Sequence, residues 1–437
     1  MNLEEWKLRN RRSRSYSHFD SRTSLDRVWK YIDDPTKVAR HGFYPFIHYT
    51  QSFVKYKKGE GIKPKNREIC YSAHLDRFIY SYYGHKLNGF YNGKVKQLDI
   101  DDSVIAYRDN LHKNNIHFAK RAIDYIKSTN DCYIMIGDFT GFFDNLDHTY
   151  LKKMLCKVMD VEKLPSDYFA VYKNITKYSY WNIDSLLELN NLKMNNEGIL
   201  ELKQLKTVLT PEQFKALKKE HIKPNLNCYG IPQGSAISAV LSNIYMLEFD
   251  EAIKRVVSAK QGLYMRYSDD FIIVLPKVSV EQYKHDFEIL NTNIQKIPSL
   301  KLEPDKTQVF HYTNRQIISC NEMVLDCVKN KGNFMNYLGF TFDGQNVTLR
   351  DKTISKYYYK LYRKLKTISK NKGVTKNGRR ISCENVYLRY SVKGSGDKNG
   401  NFLTYVRRAE NIFGSHERVA QIRKKHMQKI RKKLNEV

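Results

Sequence analysis

The chain has 437 residues, with 75 Lys and Arg against 46 Asp and Glu, a formal charge of +29 and a pI near 9.6. Its 41% hydrophobic and 13% aromatic residues can bury a sizeable core, which excludes a disordered basic tail, and its length allows two or three lobes. No apolar run approaches the roughly 18 residues that suggest a membrane span, and the opening stretch MNLEEWKLRNRRSRS lacks the apolar segment of a secretory leader. The excess positive charge requires an acidic partner. The seven cysteines, at 70, 132, 156, 228, 320, 327 and 383, are odd in number and include no CxxC pair. They read as reduced thiols, not as a disulfide framework or a zinc site.

Residues 1–62 read as an N-terminal extension. From 65 to 345 short apolar runs alternate with helical patterns, an α/β signal with no repeat of fixed period. In CYIMIGDFTGFFDNLDH the run Cys132–Ile136 predicts a buried strand with Asp138 at its end, and Asp144 and Asp147 fall where a helix would start. Residues 150–229 then form a long connection, with a helix start and capping box expected at Thr210-Pro-Glu-Gln213. In YGIPQGSAISAVLSNIYMLEFD, Gly230–Gly234 is a Pro/Gly loop; Ile237, Val240, Leu241, Ile244 and Tyr245 follow at the spacing of an amphipathic helix. LYMRYSDDFIIVLP joins two β-rich runs, Leu263–Tyr267 and Phe271–Leu275, through Ser268, Asp269 and Asp270, which predicts a hairpin with two carboxylates at its tip.

The charge gathers at the end of the chain. Residues 351–437 hold 24 Lys and Arg against 6 Asp and Glu, a net of +18. KYYYKLYRKLKTISK and RVAQIRKKHMQKIRKKL read as basic helices, separated by the loop-like KNKGVTKNGRR and KGSGDKNGN. Tyr357, Tyr358, Tyr359 and Tyr362 interleave with the basic residues, which suits a surface that follows a phosphate backbone with rings free to stack.

Two adjacent carboxylates on a turn and a third from a neighbouring strand are the donor set that two divalent cations require. Mg²⁺ prefers hard oxygen ligands and keeps positions open for phosphates, and a metal pair stabilises both oxygens of an in-line phosphoryl transfer. Asp-Asp in a hairpin is also ordinary turn chemistry. The other two segments, in this order, turn the grouping towards nucleotidyl transfer.

Together the three segments resemble the palm of reverse transcriptases. DFTGFFD at 138–144 is similar to motif A, GIPQGSAISAVLSNIYM at 230–246 to motif B and YSDD at 267–270 to motif C. LKLEPDKTQVF at 300–310 resembles motif D, NYLGFTF at 336–342 the primer grip, and KPKNREICYSAHLDRFI at 63–79 the fingers segment. The style of motifs A and B is bacterial, near retron and group II intron enzymes and nearest the abortive-infection and defence-associated groups. The fold implied is a right-hand polymerase with an α+β palm, with fingers and palm over 63–345, an insertion at about 150–229, and a short basic helical thumb over 346–437.

Carried over by position, the resemblance implies that Asp138 and Asp269 bind two Mg²⁺ ions, with Mn²⁺ as the alternative. Asp270 completes the site, and the Phe139 carbonyl is a further ligand. Phe143 takes the steric-gate position that selects dNTPs, and Gln233 faces the nascent base pair. Lys65 and Arg67 neutralise the triphosphate, and Lys306 donates a proton to the leaving pyrophosphate. Tyr337, Gly339, Lys424, Lys425 and Arg431 are expected on nucleic acid. The implied partners are an RNA template, a noncoding RNA encoded nearby, with dNTPs and a DNA product. The implied setting is antiphage defence in the bacterial cytoplasm, away from membranes, with oligomeric state open. Neither the VTG signature of retrons nor the Cys/His cluster of an HNH endonuclease is found, and the six acidic residues after 350 argue against an RNase H. An RNA-dependent RNA polymerase and a silent RNA-binding scaffold remain the alternatives, disfavoured by Phe143 with YSDD and by the complete set of carboxylates.

Overall fold

The computed structural model describes residues 2–428 apart from 13, 58–60, 305, 326–327, 372–383, 397–399, 416, 421–425 and 427. The strands β1 (Phe46–Lys57) and β2 (Gly61–Tyr71) form one long antiparallel ribbon, in register from Ile47 opposite Tyr71 to Lys57 opposite Gly61. A boundary at 62/63 therefore falls inside a paired unit. The residues before the ribbon are also packed: Trp6 is buried against Trp29 and Tyr82, with ring centroids 6.4 and 5.3 Å away, beside the helix His74–Gln97.

The strand expected from 132 is β3 (Cys132–Asp138), buried along its length. Tyr133 and Met135 enter one hydrophobic cluster while Cys132, Ile134 and Ile136 enter another, so the period of two fills both faces of the sheet. The helix His148–Met159 follows, with Asp147 as its N-cap accepting from the Tyr150 amide at 2.7 Å.

The long connection after motif A adds strands to the fingers. β4 (Ser179–Asn182) runs parallel to β1, with Trp181 opposite Ile47, and β5 (Lys223–Pro224) continues the sheet in the order β2-β1-β4-β5. The capping box forms: the Gln213 amide donates to Thr210 Oγ1 at 3.2 Å and the Thr210 amide to Gln213 Oε1 at 2.9 Å.

The strands β6 (Leu263–Tyr267), β7 (Asp270–Pro276), β8 (Gln308–Thr313) and β9 (Gln316–Ser319) join β3 in a five-stranded antiparallel sheet ordered β6-β7-β3-β8-β9. Ile116, Ala119, Ala122, Ile123 and Ile126 of the helix Asn115–Thr129 cover one face. Phe249, Ile253, Tyr283, Phe287 and Leu290, from the helices Leu247–Ala259 and Val280–Gln295, pack on the other. The helix Ser238–Tyr245 departs from the amphipathic expectation, since Ser238, Ser242 and Asn243 are buried too. It is enclosed by neighbouring helices, and its polar side chains are satisfied internally: Ser238 Oγ donates to the Pro232 carbonyl at 2.7 Å and Asn243 Nδ2 to the Ala106 carbonyl at 2.9 Å.

A three-stranded sheet of β10 (Met335–Tyr337), β11 (Phe340–Phe342) and β12 (Val347–Leu349) leads into the helix Asp351–Lys370. The helix Phe402–Phe413 returns to it, placing Val406, Ala409 and Phe413 in the cluster that holds this sheet. Fingers, palm and a helical C-terminal region thus follow in the order of a right-hand polymerase.

Two expectations for the C-terminal region are corrected. Tyr357 and Tyr358 are each 8% exposed and pack with Leu361, Leu365 and Ile368, because 357, 358, 361, 365 and 368 share the inward face of the helix. Tyr362 is half-buried, whereas Tyr359, on the opposite face, is 64% exposed. Where the loop-like KGSGDKNGN begins, Val392–Ser395 is a short helical turn, closed by the Ser395 hydroxyl on the Val392 carbonyl at 2.7 Å. Lys424, Lys425 and Arg431 lie outside the described residues. Among the described residues no helix is long and apolar enough to cross a membrane.

Candidate active site

Asp138, the last residue of β3, stands opposite Asp270, the first residue of β7. Tyr267 pairs with Asp270, so β6 and β7 are joined by a two-residue loop, Ser268 and Asp269. Such a loop needs a positive φ at one or both positions, and Ser268 supplies it with φ +62°. The three carboxylates therefore share one end of the palm sheet. Gly137 makes room there, because a Cβ on it would meet the Phe271 ring at 2.2 Å.

The electrostatics of this end are unfavourable to charge. Burial, then the carboxylates of Asp269 and Asp138, push Asp270 up to about 7. Burial and Asp138 also raise Asp269, and its own main-chain amide, then the Lys306 charge and the Ser268 hydroxyl, partly offset them. The nearest compensation is the Lys306 ammonium, in contact with Asp138 Oδ1. Lys306 is brought there by main-chain bonds from Thr140 to the Lys301 carbonyl at 2.9 Å and from Glu303 to the Asp138 carbonyl at 2.7 Å. Among the described residues no three His, Cys, Asp or Glu side chains form a ready cage for an ion. The donor type at this sheet end nonetheless fits a hard divalent cation: carboxylate oxygens held together against their mutual repulsion, with one of them carrying a positive group.

The Pro-Gln-Gly loop packs against the turn that follows Asp138. The Ile231 amide donates to the Phe143 carbonyl and the Gly230 amide to the Leu146 carbonyl, both at 2.9 Å. Gln233 Nε2 donates to the Asp144 carboxylate at 3.2 Å, and the Gln233 carbonyl accepts from the Cys70 amide at 2.8 Å, which ties this loop to the end of β2. Gly234 takes φ +111°, and a Cβ there would lie 2.5 Å from the Cys70 carbonyl oxygen. Phe143 is half-buried with its ring edge-on to Phe142 at 5.4 Å, and Phe139 is buried against Phe142, Phe249 and Phe271.

Lys65 and Arg67 are exposed on one face of the ribbon, opposite Phe53 and Gln51, with the Arg67 guanidinium 5.6 Å from the Phe53 ring centre. The nucleic-acid contact expected of Tyr337 meets an obstacle: its ring is 3% exposed, in the cluster beneath the small sheet, and its hydroxyl is buried without a hydrogen-bond partner. The turn beside it is more open. Leu338 and Gly339 have φ +46° and +95°, Gly339 is half-buried, and its carbonyl accepts from the Arg350 amide at 3.1 Å.

Sequence reasoning passed over Arg266, Asp250, Asn243 and Tyr107, which surround the Tyr-Ser-Asp-Asp turn. A signal was available for the first two. Arg266 is a lone charge inside the apolar run LYMRY, and Asp250 closes a largely apolar helical stretch; a buried charge requires a partner.

Residues 77–342 match the family model described as "Reverse transcriptase (RNA-dependent DNA polymerase)". Among solved structures, the chain is similar to the apo telomerase of Candida tropicalis truncated from its C-terminal domain, at 13% identity and a TM-score of 0.43, over 75% of this chain and 61% of that one. It is also similar to the telomerase of Candida albicans in complex with a TWJ fragment of telomeric RNA, at 15% identity and a TM-score of 0.42, over 93% and 58%. The chain thus spans about three fifths of those telomerases. No curated protein matches it.

Proposed function

The chain belongs to the reverse transcriptase family, and we propose that it is an RNA-directed DNA polymerase that copies a partner noncoding RNA into DNA in bacterial antiphage defence, with Asp138, Asp269 and Asp270 as its metal-binding carboxylates. One observation carries the assignment of these residues: Asp138 and Asp270 face each other beside Asp269 at a single sheet end, where their mutual repulsion leaves a requirement for added positive charge. The donor set fits two divalent ions, Mg²⁺ foremost with Mn²⁺ as the alternative, whose charge when bound stabilises the attacking and leaving oxygens of in-line phosphoryl transfer.

The remaining roles follow from placement. Lys306, released from Asp138, is within the same site and donates a proton to the leaving pyrophosphate. The Phe143 ring lies beneath the sugar and excludes a 2′-hydroxyl. Gln233, steadied by Asp144, faces the nascent base pair. Lys65 and Arg67 meet the triphosphate from the fingers ribbon. Tyr359, the Gly339 turn and the basic residues after 350 hold the RNA. The fingers and palm end near 345, and the helical region beyond acts as the thumb. The defence role rests on the bacterial style of DFTGFFD and GIPQGSAIS, and it places the enzyme in the cytoplasm.

Phage plating on cells carrying the gene with its flanking noncoding sequence, wild type against Asp269→Ala, tests the role. Protection lost with Asp269→Ala is expected, together with one RNA species enriched among the nucleic acids bound to the purified protein. Equal plaque counts across a broad phage panel would remove the defence reading and leave the polymerase.

A further inference from the structure

The Tyr-Ser-Asp-Asp turn is held from beneath as well as by its own strands. Arg266 in β6 and Asp250 in the helix Leu247–Ala259 are both 0% exposed. Arg266 Nε and Nη2 donate to the two Asp250 oxygens at 2.7 Å each, and Tyr264 Oη donates to Asp250 Oδ1 at 2.6 Å. Arg266 Nη1 turns the other way. It donates to the Ser268 carbonyl at 2.9 Å and to Asn243 Oδ1 at 3.2 Å, and Asn243 Nδ2 in turn holds the Ala106 carbonyl at 2.9 Å.

The same residue is gripped through its main chain. The Arg266 amide donates to the Ser103 carbonyl at 2.8 Å, and the Ile105 amide donates to the Arg266 carbonyl at 3.1 Å. The segment 103–107 therefore runs along the open edge of β6 and ends at Tyr107. Tyr107 has φ +59°, a left-handed backbone that a bulky side chain rarely adopts, and its hydroxyl donates to Ser268 Oγ at 3.1 Å. Ser268 is left-handed as well, so the residue that aims Asp269 is fixed at its carbonyl from inside the fold and at its hydroxyl from the solvent side.

We propose that Arg266 is a positioning residue for the Asp269 and Asp270 carboxylates, with Asp250 and Asn243 as the frame it braces against and Tyr107 as a second, outer brace on Ser268. The proposal rests on those carboxylates being the metal ligands. A planar guanidinium can span Asp250, Asn243 and the Ser268 carbonyl at once; an ammonium can balance Asp250 but cannot span all three. Arg266→Lys thus preserves the buried charge balance while removing the brace. Tyr107→Phe removes only the outer hydroxyl, at a half-exposed position where folding is not at stake.

The experiment measures primer extension by the purified full chain, as kcat, KM for dNTP and Mg²⁺ half-saturation, alongside melting temperature and Mn²⁺ binding. For Arg266→Lys, kcat falls about 10–100-fold, the loss expected from misplacing reacting groups by about 1 Å. Mg²⁺ half-saturation rises and KM for dNTP stays near the wild-type value. Tyr107→Phe raises Mg²⁺ half-saturation a few-fold, as loss of one hydrogen bond of about 1 kcal/mol predicts, with no change in melting temperature. A lower melting temperature with wild-type kcat and Mg²⁺ dependence in Arg266→Lys would make the network plain scaffolding and overturn the proposal. Where Arg266→Lys does not fold, Tyr107→Phe decides: unchanged Mg²⁺ half-saturation overturns it. Asp269→Asn, run in parallel, separates the two readings, because an active Asp269→Asn would overturn the metal assignment itself.

Discussion

The Tyr-Ser-Asp-Asp turn and the ion pair one layer beneath it are two acidic regions of the same sheet end with opposite electrostatic fates. Asp250 is the more deeply buried, yet it faces two guanidinium N–H groups and a tyrosine hydroxyl. Burial opposes the Arg266 charge, and Asp250 outweighs it, so the guanidinium holds its proton more tightly than in water. Asp270 is nearer the surface, yet it is pushed up to about 7, by burial first and then by the carboxylates around it. Depth of burial does not separate these regions; the sign of the neighbouring charge does. A carboxylate facing a guanidinium already has its counter-charge and can serve as a brace, and one facing other carboxylates marks where a cation from outside belongs.

The largest effect that would break this contrast is catalytic. Asp269→Ala with Asp270→Ala should cost at least roughly 10³-fold in DNA synthesis, because several kcal/mol of transition-state charge stabilisation is lost. Its melting temperature in chelator should rise, since the repulsion is gone. Retained polymerisation by the double variant would sink the assignment. Next in size, Asp250→Ala leaves Arg266 charged in the core without a counter-charge, and should destabilise by about 3–5 kcal/mol in urea unfolding. A cost below about 1 kcal/mol, the value of an exposed pair, would erase the difference between the regions.

The pH dependence sharpens it further. The folded value of Asp270 lies above the usual carboxylate range, so the native state keeps a proton that the unfolded chain has released. Its contribution to stability is complete below about pH 4 and is lost as pH rises through about 7. In chelator, wild type should therefore lose about 1–3 kcal/mol relative to Asp270→Asn between those limits. Parallel stability curves for the two proteins would contradict it. Phe143→Ala, which touches neither set of charges, should cost only the packing of a half-buried ring, about 1–2 kcal/mol with no pH dependence of its own, and raise rNTP use relative to dNTP about tenfold. An unaltered ratio would show Phe143 to be a packing residue.

Much of this site was legible in the sequence because it obeys local rules. The apolar run before Asp138, the Asp147 cap, and the two β-rich runs around Ser268 and Asp269 each specify their own geometry. What was not legible depends on partners far along the chain. Nothing near residue 180 announces that Tyr180 and Trp181 will pair with Phe46 and Ile47, so the strands by which the connection 150–229 extends the β1–β2 sheet are not legible in the sequence. Tyr357 and Tyr359 look alike in a run of three tyrosines, and only the packing of the helix against Tyr390 and Phe402 separates a core ring from an exposed one. Tyr107 had no signal at all, since its left-handed backbone is imposed by the docking of 103–107 on β6.

The three carboxylates at this sheet end are proposed to drive RNA-templated DNA synthesis. Primer extension on a defined RNA template, with Mg²⁺ and either dNTPs or rNTPs, compares wild type with Asp269→Asn most directly. Wild type should extend the primer with dNTPs, and Asp269→Asn, folded to the same melting temperature or higher, should give no product. Full-length DNA from Asp269→Asn, or wild-type extension that proceeds equally well in chelator, would contradict it.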